Sequence, residues 1–275
     1  MRTLVSGLAM GESARWHDGR FWCSDWVVGE VLAVDLDGTA TVAARSTSFP
    51  FCFDWLPDGT MVVTSNAGLE RLESGVLVPF VDMTALSHHG WNEVIVDAGG
   101  NAYVNSPNFD MSHGFDFDVG SRSGVIALVT PHGEARLVAD GVAFPNGMAI
   151  TPDGSTLIVA ESFASRLGAW DIGADGSLSN RRVWAPLQNG ADGISIDAQG
   201  AVWCATQRGC ERVLEGGEVT DGIPFDLFGF SCALGGTDGR TLFMVANEWN
   251  GPENIGKGPR TGRVNTVEVA VPAPA

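Results

Sequence analysis

Basic residues are scarce in this chain. Sixteen lysines and arginines face 33 aspartates and glutamates, a formal charge of −17. Nucleic-acid binding rests on cationic side chains that neutralise phosphates, so this balance argues against such a partner. The acidic surface offers no membrane contact either, and reads as a solvated, self-repelling one. No apolar run approaches the length needed to cross a bilayer. Residues 1–8 lack the apolar stretch of a secretory leader, so the expected address is the cytoplasm. No Cys-x-x-Cys pair occurs, and the five cysteines are odd in number. A chain of 275 residues needs no disulfide staples. Cys23, Cys52, Cys204, Cys210 and Cys232 are therefore expected to be reduced, buried and small. Cys204 and Cys210 are near enough in sequence to bridge a hairpin, but the reduced reading is preferred. A Gly-x-Ser-x-Gly elbow is also missing; Ser231 lies in Gly-Phe-Ser-Cys-Ala, which argues against a serine nucleophile.

Glycine is abundant, and it falls in a cadence. A phrase of two apolar segments around a Gly-containing turn recurs at residues 14–25, 54–66, 94–106, 148–162, 194–207 and 234–248. The turn glycines are Gly19, Gly59, Gly100, Gly154, Gly200 and Gly239. Their spacing suits a propeller blade of roughly 40–50 residues. A second hairpin follows each of the first five phrases, with Gly and Asp at its turn, where positive φ is needed. Two hairpins per repeat make one four-stranded blade. The sixth repeat is one strand short, and residues 2–6 can supply it as the outer strand. The spacing thus predicts an all-β, six-bladed β-propeller with four antiparallel strands per blade. Its ring is closed by the N-terminal strand, and residues 1–275 form a single domain. The longest interruption, at residues 107–118, reads as a lid or pocket wall.

Aligned on their turn glycines, four repeats place a polar oxygen donor in one slot: Glu12, Asn92, Asn146 and Asp192. Phe51 and Ser231 hold the equivalent slots of the second and sixth repeats. The slot opens the innermost strand of each blade, and innermost strands of a ring start at one end of its axis. Two carboxylates and two amides there would form a hard oxygen site for Ca²⁺, Mg²⁺ or Mn²⁺, with Zn²⁺ reachable through the carboxylates. Asn146-Gly147 and Asp192-Gly193 read equally well, alone, as turn dipeptides. The shared register, and Glu12 in a segment with no such turn, favour the site.

The sequence here resembles the senescence-marker-protein/gluconolactonase family, also termed regucalcin-like. The resemblance is carried by Gly11-Glu12-Ser13-Ala14-Arg15-Trp16, Trp91-Asn92-Glu93, Phe144-Pro145-Asn146-Gly147-Met148-Ala149 and Ala191-Asp192-Gly193-Ile194. It implies a six-bladed propeller, a divalent cation in the central channel, and hydrolysis of lactones. It implies Glu12, Asn146 and Asp192 as metal ligands, with Ca²⁺ the expected ion. Asn92 is implied as the residue that contacts substrate or completes the metal shell. Two departures stand out. Gly90 replaces the Arg that sugar-lactonase members often place two residues before this Asn, and Glu93 replaces the usual Asp. Phe51 and Trp91, with Phe53 or Phe109, suggest a more apolar pocket instead.

The expected function is metal-dependent hydrolysis of a small lactone or ester by a monomer or small homo-oligomer. Asp192 is expected to take the proton and Asn92 to orient water or substrate. Asn92, Trp91, Phe51 and His89 are expected to contact the substrate. His88, His89 and His113 are further candidates for proton transfer, whereas His17 and His132, beside turns, are expected to be exposed. The alternatives are an esterase or other small-molecule enzyme on the same scaffold, and a non-catalytic metal- or metabolite-binding propeller.

Overall fold

The computed structural model describes residues 1–110 and 116–274; His113 lies outside them. Six four-stranded antiparallel sheets form the blades of a β-propeller, and five of them follow the chain outward from the axis. The first comprises β2 (Gly11–His17), β3 (Arg20–Asp25), β4 (Glu30–Val34) and β5 (Ala40–Arg45). The second comprises β6 (Phe53–Trp55), β7 (Met61–Thr64), β8 (Gly68–Glu73) and β9 (Val76–Asp82). The third comprises β10 (Val94–Val96), β11 (Ala102–Ser106), β12 (Gly124–Val129) and β13 (Ala135–Val142). The fourth comprises β14 (Pro145–Ile150), β15 (Thr156–Glu161), β16 (Arg166–Ile172) and β17 (Leu178–Pro186). The fifth comprises β18 (Ile194–Ile196), β19 (Val202–Thr206), β20 (Gly209–Val213) and β21 (Val219–Pro224). In the sixth, β22 (Phe228–Gly235), β23 (Thr241–Asn247) and β24 (Gly262–Glu268) are joined by β1 (Arg2–Leu8) as the outer strand. The ring therefore closes with the N-terminal strand paired to β24, from Arg2 opposite Thr266 to Leu8 opposite Gly262.

The turn glycines do what the cadence requires. All six sit in the left-handed region, with φ between 72° and 84°. A side chain with a Cβ is disfavoured there, whereas glycine is not. The core is distributed over the seams between neighbouring blades. Phe21 and Phe243 stack at 4.8 Å in the seam between the first and sixth, beside Leu4 and Leu8 of β1. Both faces of an interior sheet are covered, so β12 (Gly-Val-Ile-Ala-Leu-Val) is buried along its whole length instead of alternating. The five cysteines are free and buried. Ala205 pairs with Cys210, so Cys204 and Cys210 project from opposite faces of one sheet and pack in different seams. No hairpin disulfide is possible between them.

Three details differ from the sequence reading or go beyond it. The interruption after β11 contains a short helix, α1 (Phe117–Ser123), whose N-cap Asp116 accepts the Val119 amide at 3.0 Å. His17 is half-buried rather than exposed, because it stacks on Trp55 at 3.9 Å. Asp197, fully buried in the fifth blade, pairs with Arg212 Nε at 2.7 Å and accepts the amides of Gln199 and Ala201. Truncating one partner of a buried pair strands the other charge. Asp197→Ala should therefore lower unfolding free energy by about 3–5 kcal/mol in a urea titration.

Candidate active site

The inner strands β2, β6, β10, β14, β18 and β22 all start at one end of the axis. The sequence slot lies there. Glu12 and Asn146 stand near the starts of β2 and β14, while Asn92 and Asp192 each stand two residues before β10 and β18. Local backbone irregularities aim them inward. The β2/β3 register is broken between Glu12 and Arg15, with Ser13 at φ 55°, and the β14/β15 register is broken just after Pro145. Such bulges re-aim side chains at the rims of closed sheets.

Glu12, Asn92 and Asn146 are buried. Glu12 accepts the Ser13 amide at 3.1 Å. Burial and then the charges of Asp192 and Glu93 push the Glu12 carboxyl well above the usual carboxylate range, against the pull of the Ser13 amide and Arg15. Burial and then the Glu93 charge do the same to Asp192, against hydrogen bonds from the Gly193 amide and the Asn146 side chain. These carboxylates thus lie within each other's field, which costs free energy unless a positive charge joins them. Two further observations point to that charge. Asp192 Oδ1 and Asn92 Oδ1 are buried with no hydrogen-bond partner. Buried oxygens are rarely left so, and an ion is a standard reason. Among the described residues, no cluster of three His, Cys, Asp or Glu side chains has metal-binding geometry. Any ion here would accordingly rely on amide oxygens beside Glu12 and Asp192.

The supporting contacts explain several residues that sequence reasoning passed over. Asn105, fully buried on β11, accepts the Glu93 amide at 3.2 Å and donates to Asn146 O at 2.7 Å. It ties the third blade to the fourth at the site. Ser162 accepts from Asn146 Nδ2 at 3.3 Å and donates to Ala191 O at 2.7 Å. Ser231 Oγ accepts the Ala14 amide at 2.9 Å, a bracing role between the sixth and first blades. Neither Gly147 nor Gly193 has a positive φ. They are not turns; they let inner strands touch. A Cβ on Gly193 would lie 2.7 Å from Ser231 Cα, and one on Gly147 would lie 2.6 Å from Gly193 Cα. Backbone cannot give way as a side-chain tip can. Gly193→Ala should cost at least the ~1–3 kcal/mol of an overpacked core, measured by denaturant unfolding.

The remaining expected site residues divide by exposure. Phe51 and Trp91 are fully enclosed, Phe51 in the seam between the first and second blades, Trp91 in the next. His89 is half-buried and His88 exposed. Around the mouth stand aromatics on the inner strands or the segments that lead into them, and on the loops joining second to third strands of a blade. Phe109 and Phe144 meet at 5.9 Å, and Phe144 stacks on Phe163 at 4.5 Å. Phe230 meets Trp249 at 5.6 Å, and Trp26 meets Phe49 at 5.6 Å.

Fold and site together define a six-bladed propeller with converging oxygen donors at one mouth of its axial channel. The chain belongs to the SMP-30/gluconolactonase/LRE-like family, whose profile matches residues 10–248. It is 25% identical over 233 residues to a 6-deoxy-6-sulfogluconolactonase of Pseudomonas putida, covering 80% of this chain and 77% of that one. It is 29% identical over 148 residues to the diisopropyl-fluorophosphatase of Loligo vulgaris. That match spans 50% of this chain and only 45% of the squid protein. The fold is shared with regucalcin, a calcium-binding protein of Agrobacterium tumefaciens, at a TM-score of 0.80 and 20% identity. The superposition covers 99% of this chain and 94% of that one.

Proposed function

We propose that this protein hydrolyses a cyclic ester with the help of one divalent cation held by Glu12, Asn146 and Asp192. The observation that carries the reading is a pair of mutually repelling carboxylates, Glu12 buried and Asp192 half-buried with its Oδ1 enclosed and unpartnered, beside a second unpartnered buried oxygen, Asn92 Oδ1. A structural core would not retain that cost, and a cation-binding one would need it. The donors are all oxygen, which fits Ca²⁺ first and Mg²⁺, Mn²⁺ or Zn²⁺ after it. When bound, such an ion supplies Lewis acidity toward an ester carbonyl and lowers the pKa of water. The chain's own residues do the rest. Asp192 accepts the proton of the attacking water through its carboxylate. Asn92 orients water or substrate through its amide oxygen, and its Nδ2 is fixed on Pro145 O at 3.4 Å. His89 lines the mouth, and Phe51 and Trp91 form the packed wall behind it.

The aromatic rim favours an ester with an apolar substituent over a polyhydroxylated sugar lactone. Gly90 supports this, because it offers no side chain to recognise sugar hydroxyls. The five free thiols suit a reducing compartment, and we place the activity in the cytoplasm. The test is a panel of apolar and sugar-derived lactones, assayed after chelator treatment and again with each cation. The expected result is activity that disappears on chelation, returns with Ca²⁺, and is highest on apolar lactones. Activity that persists in chelator would defeat the reading. The likeness to a fluorophosphatase over half the chain, together with this chain's own aromatic rim, supports a second reading: an aryl ester or phosphotriester hydrolase. Including those substrates in the panel separates the two.

A further inference from the structure

Arg15 crosses the channel. Its strand, β2, belongs to the first blade, yet its guanidinium reaches the third. Nη2 lies 3.0 Å from Glu93 Oε2 and donates to Val94 O at 2.9 Å, while Nη1 donates to Ala14 O at 2.9 Å. The Arg15 side chain is 18% exposed and that of Glu93 only 2%. Glu93 is held at both ends, by Arg15 at its carboxylate and by Asn105 at its amide. It directly follows Asn92, and its charge acts on Glu12 and on Asp192. On its other side Arg15 lines a separate cavity of about 320 Å³, together with Asp54, Ile95, Met148, Ile150 and Leu234. The guanidinium thus forms a floor between the oxygen site and the far half of the channel.

Charge explains why a cation would be spent there. Three carboxylates, Glu12, Glu93 and Asp192, act on one another near the axis, and Arg15 is ion-paired with one of them. Their formal sum is two negative charges, which one divalent ion neutralises; Asp54 also acts on Arg15, from the far side of the floor, and is the same in every variant below. Glu93 is also the residue next to Asn92, so an unpinned Glu93 could compete for the ion and fill the position that a substrate needs. We propose that Arg15 is a positioning residue that pins Glu93 against the channel wall, keeps it out of the ligand set, and fixes the charge of the site at minus two. This rests on the reading of the site as a cation site.

The experiment is a double-substitution cycle on the full-length protein. Chelator-treated wild type, Arg15→Gln, Glu93→Gln and the double variant are titrated with Ca²⁺ by calorimetry and with Tb³⁺ by luminescence. At a water-like effective dielectric of about 80, one unit charge about 6 Å from a divalent ion is worth on the order of tenfold in affinity. Arg15→Gln, with a site charge of minus three, should bind about tenfold tighter, and Tb³⁺ should gain more than Ca²⁺. Glu93→Gln, at minus one, should bind about tenfold weaker. The double variant, again at minus two, should return to within about threefold of wild type. Singles that move in the same direction, or a double variant worse than both, would overturn the proposal, because a merely structural pair behaves that way. If Arg15→Gln does not fold, Arg15→Lys decides together with Glu93→Gln. Lysine keeps the charge and must keep the affinity, whereas Glu93→Gln must lose it. A wild type that takes up neither ion would overturn the cation site itself, an outcome distinct from failure of the cycle.

Discussion

Asp192→Ala should lower lactone turnover by at least about a thousandfold and leave the ring folded. Loss of a positioned proton acceptor alone accounts for about 10²–10⁴-fold, and the same change removes a cation ligand. The fold should survive because Asp192 adds a hydrogen bond from Asn146 to its seam but no apolar packing. Its neighbours on β18 and β19, Ile194, Val202 and Cys204, carry the packing. In the cation-free state the variant should even be the more stable protein. Burial and Glu93 make the ionised Asp192 unfavourable in the folded chain. A carboxyl whose folded pKa is raised opposes folding at any pH above its unfolded pKa, neutral pH included, and alanine removes that penalty. Each kcal/mol recovered should raise the melting temperature by about 2–4 °C. The two readouts, turnover and cation-free melting, should move in opposite directions. A fully active Asp192→Ala protein would refute the assignment.

Removing residues 1–8 should abolish cooperative folding. β1 supplies the outer strand of the sixth blade and buries Leu4 and Leu8 against Phe21 and Phe243. Without it, β24 becomes an exposed edge, a template for pairing with another chain. The seam between the first and sixth blades also carries the segment that positions Glu12, since the Gly11 amide donates to Asn247 Oδ1 at 3.1 Å. The shortened chain should aggregate on size-exclusion chromatography and lose its sharp thermal transition by circular dichroism. An unchanged melting curve would show that the closure is dispensable.

Much of this was legible in the residues. The turn glycines set the blade spacing, because glycine alone adopts their backbone cheaply. The recurring slot brought Glu12, Asn92, Asn146 and Asp192 to one end of the axis, because inner strands share a direction. Other features depend on closure in three dimensions and leave no local trace. The Arg15–Glu93 contact joins residues 78 apart across the channel. Gly147 and Gly193 read as turn residues, yet their role is to admit a neighbouring backbone. The short helix α1 lies in a stretch of Asp, Gly and Ser that carries no helical period. Asn105 could have been noticed: it follows the third phrase's apolar run, where Thr64 ends the second and donates to Asn92 O at 2.9 Å.

The most direct test of the cation site is the stoichiometry of Ca²⁺ bound to chelator-treated protein, by equilibrium dialysis with elemental analysis. One ion per chain is expected, and it should be lost in Glu12→Gln and in Asp192→Asn. Binding that survives both substitutions, or no binding by the unaltered chain, would contradict the account.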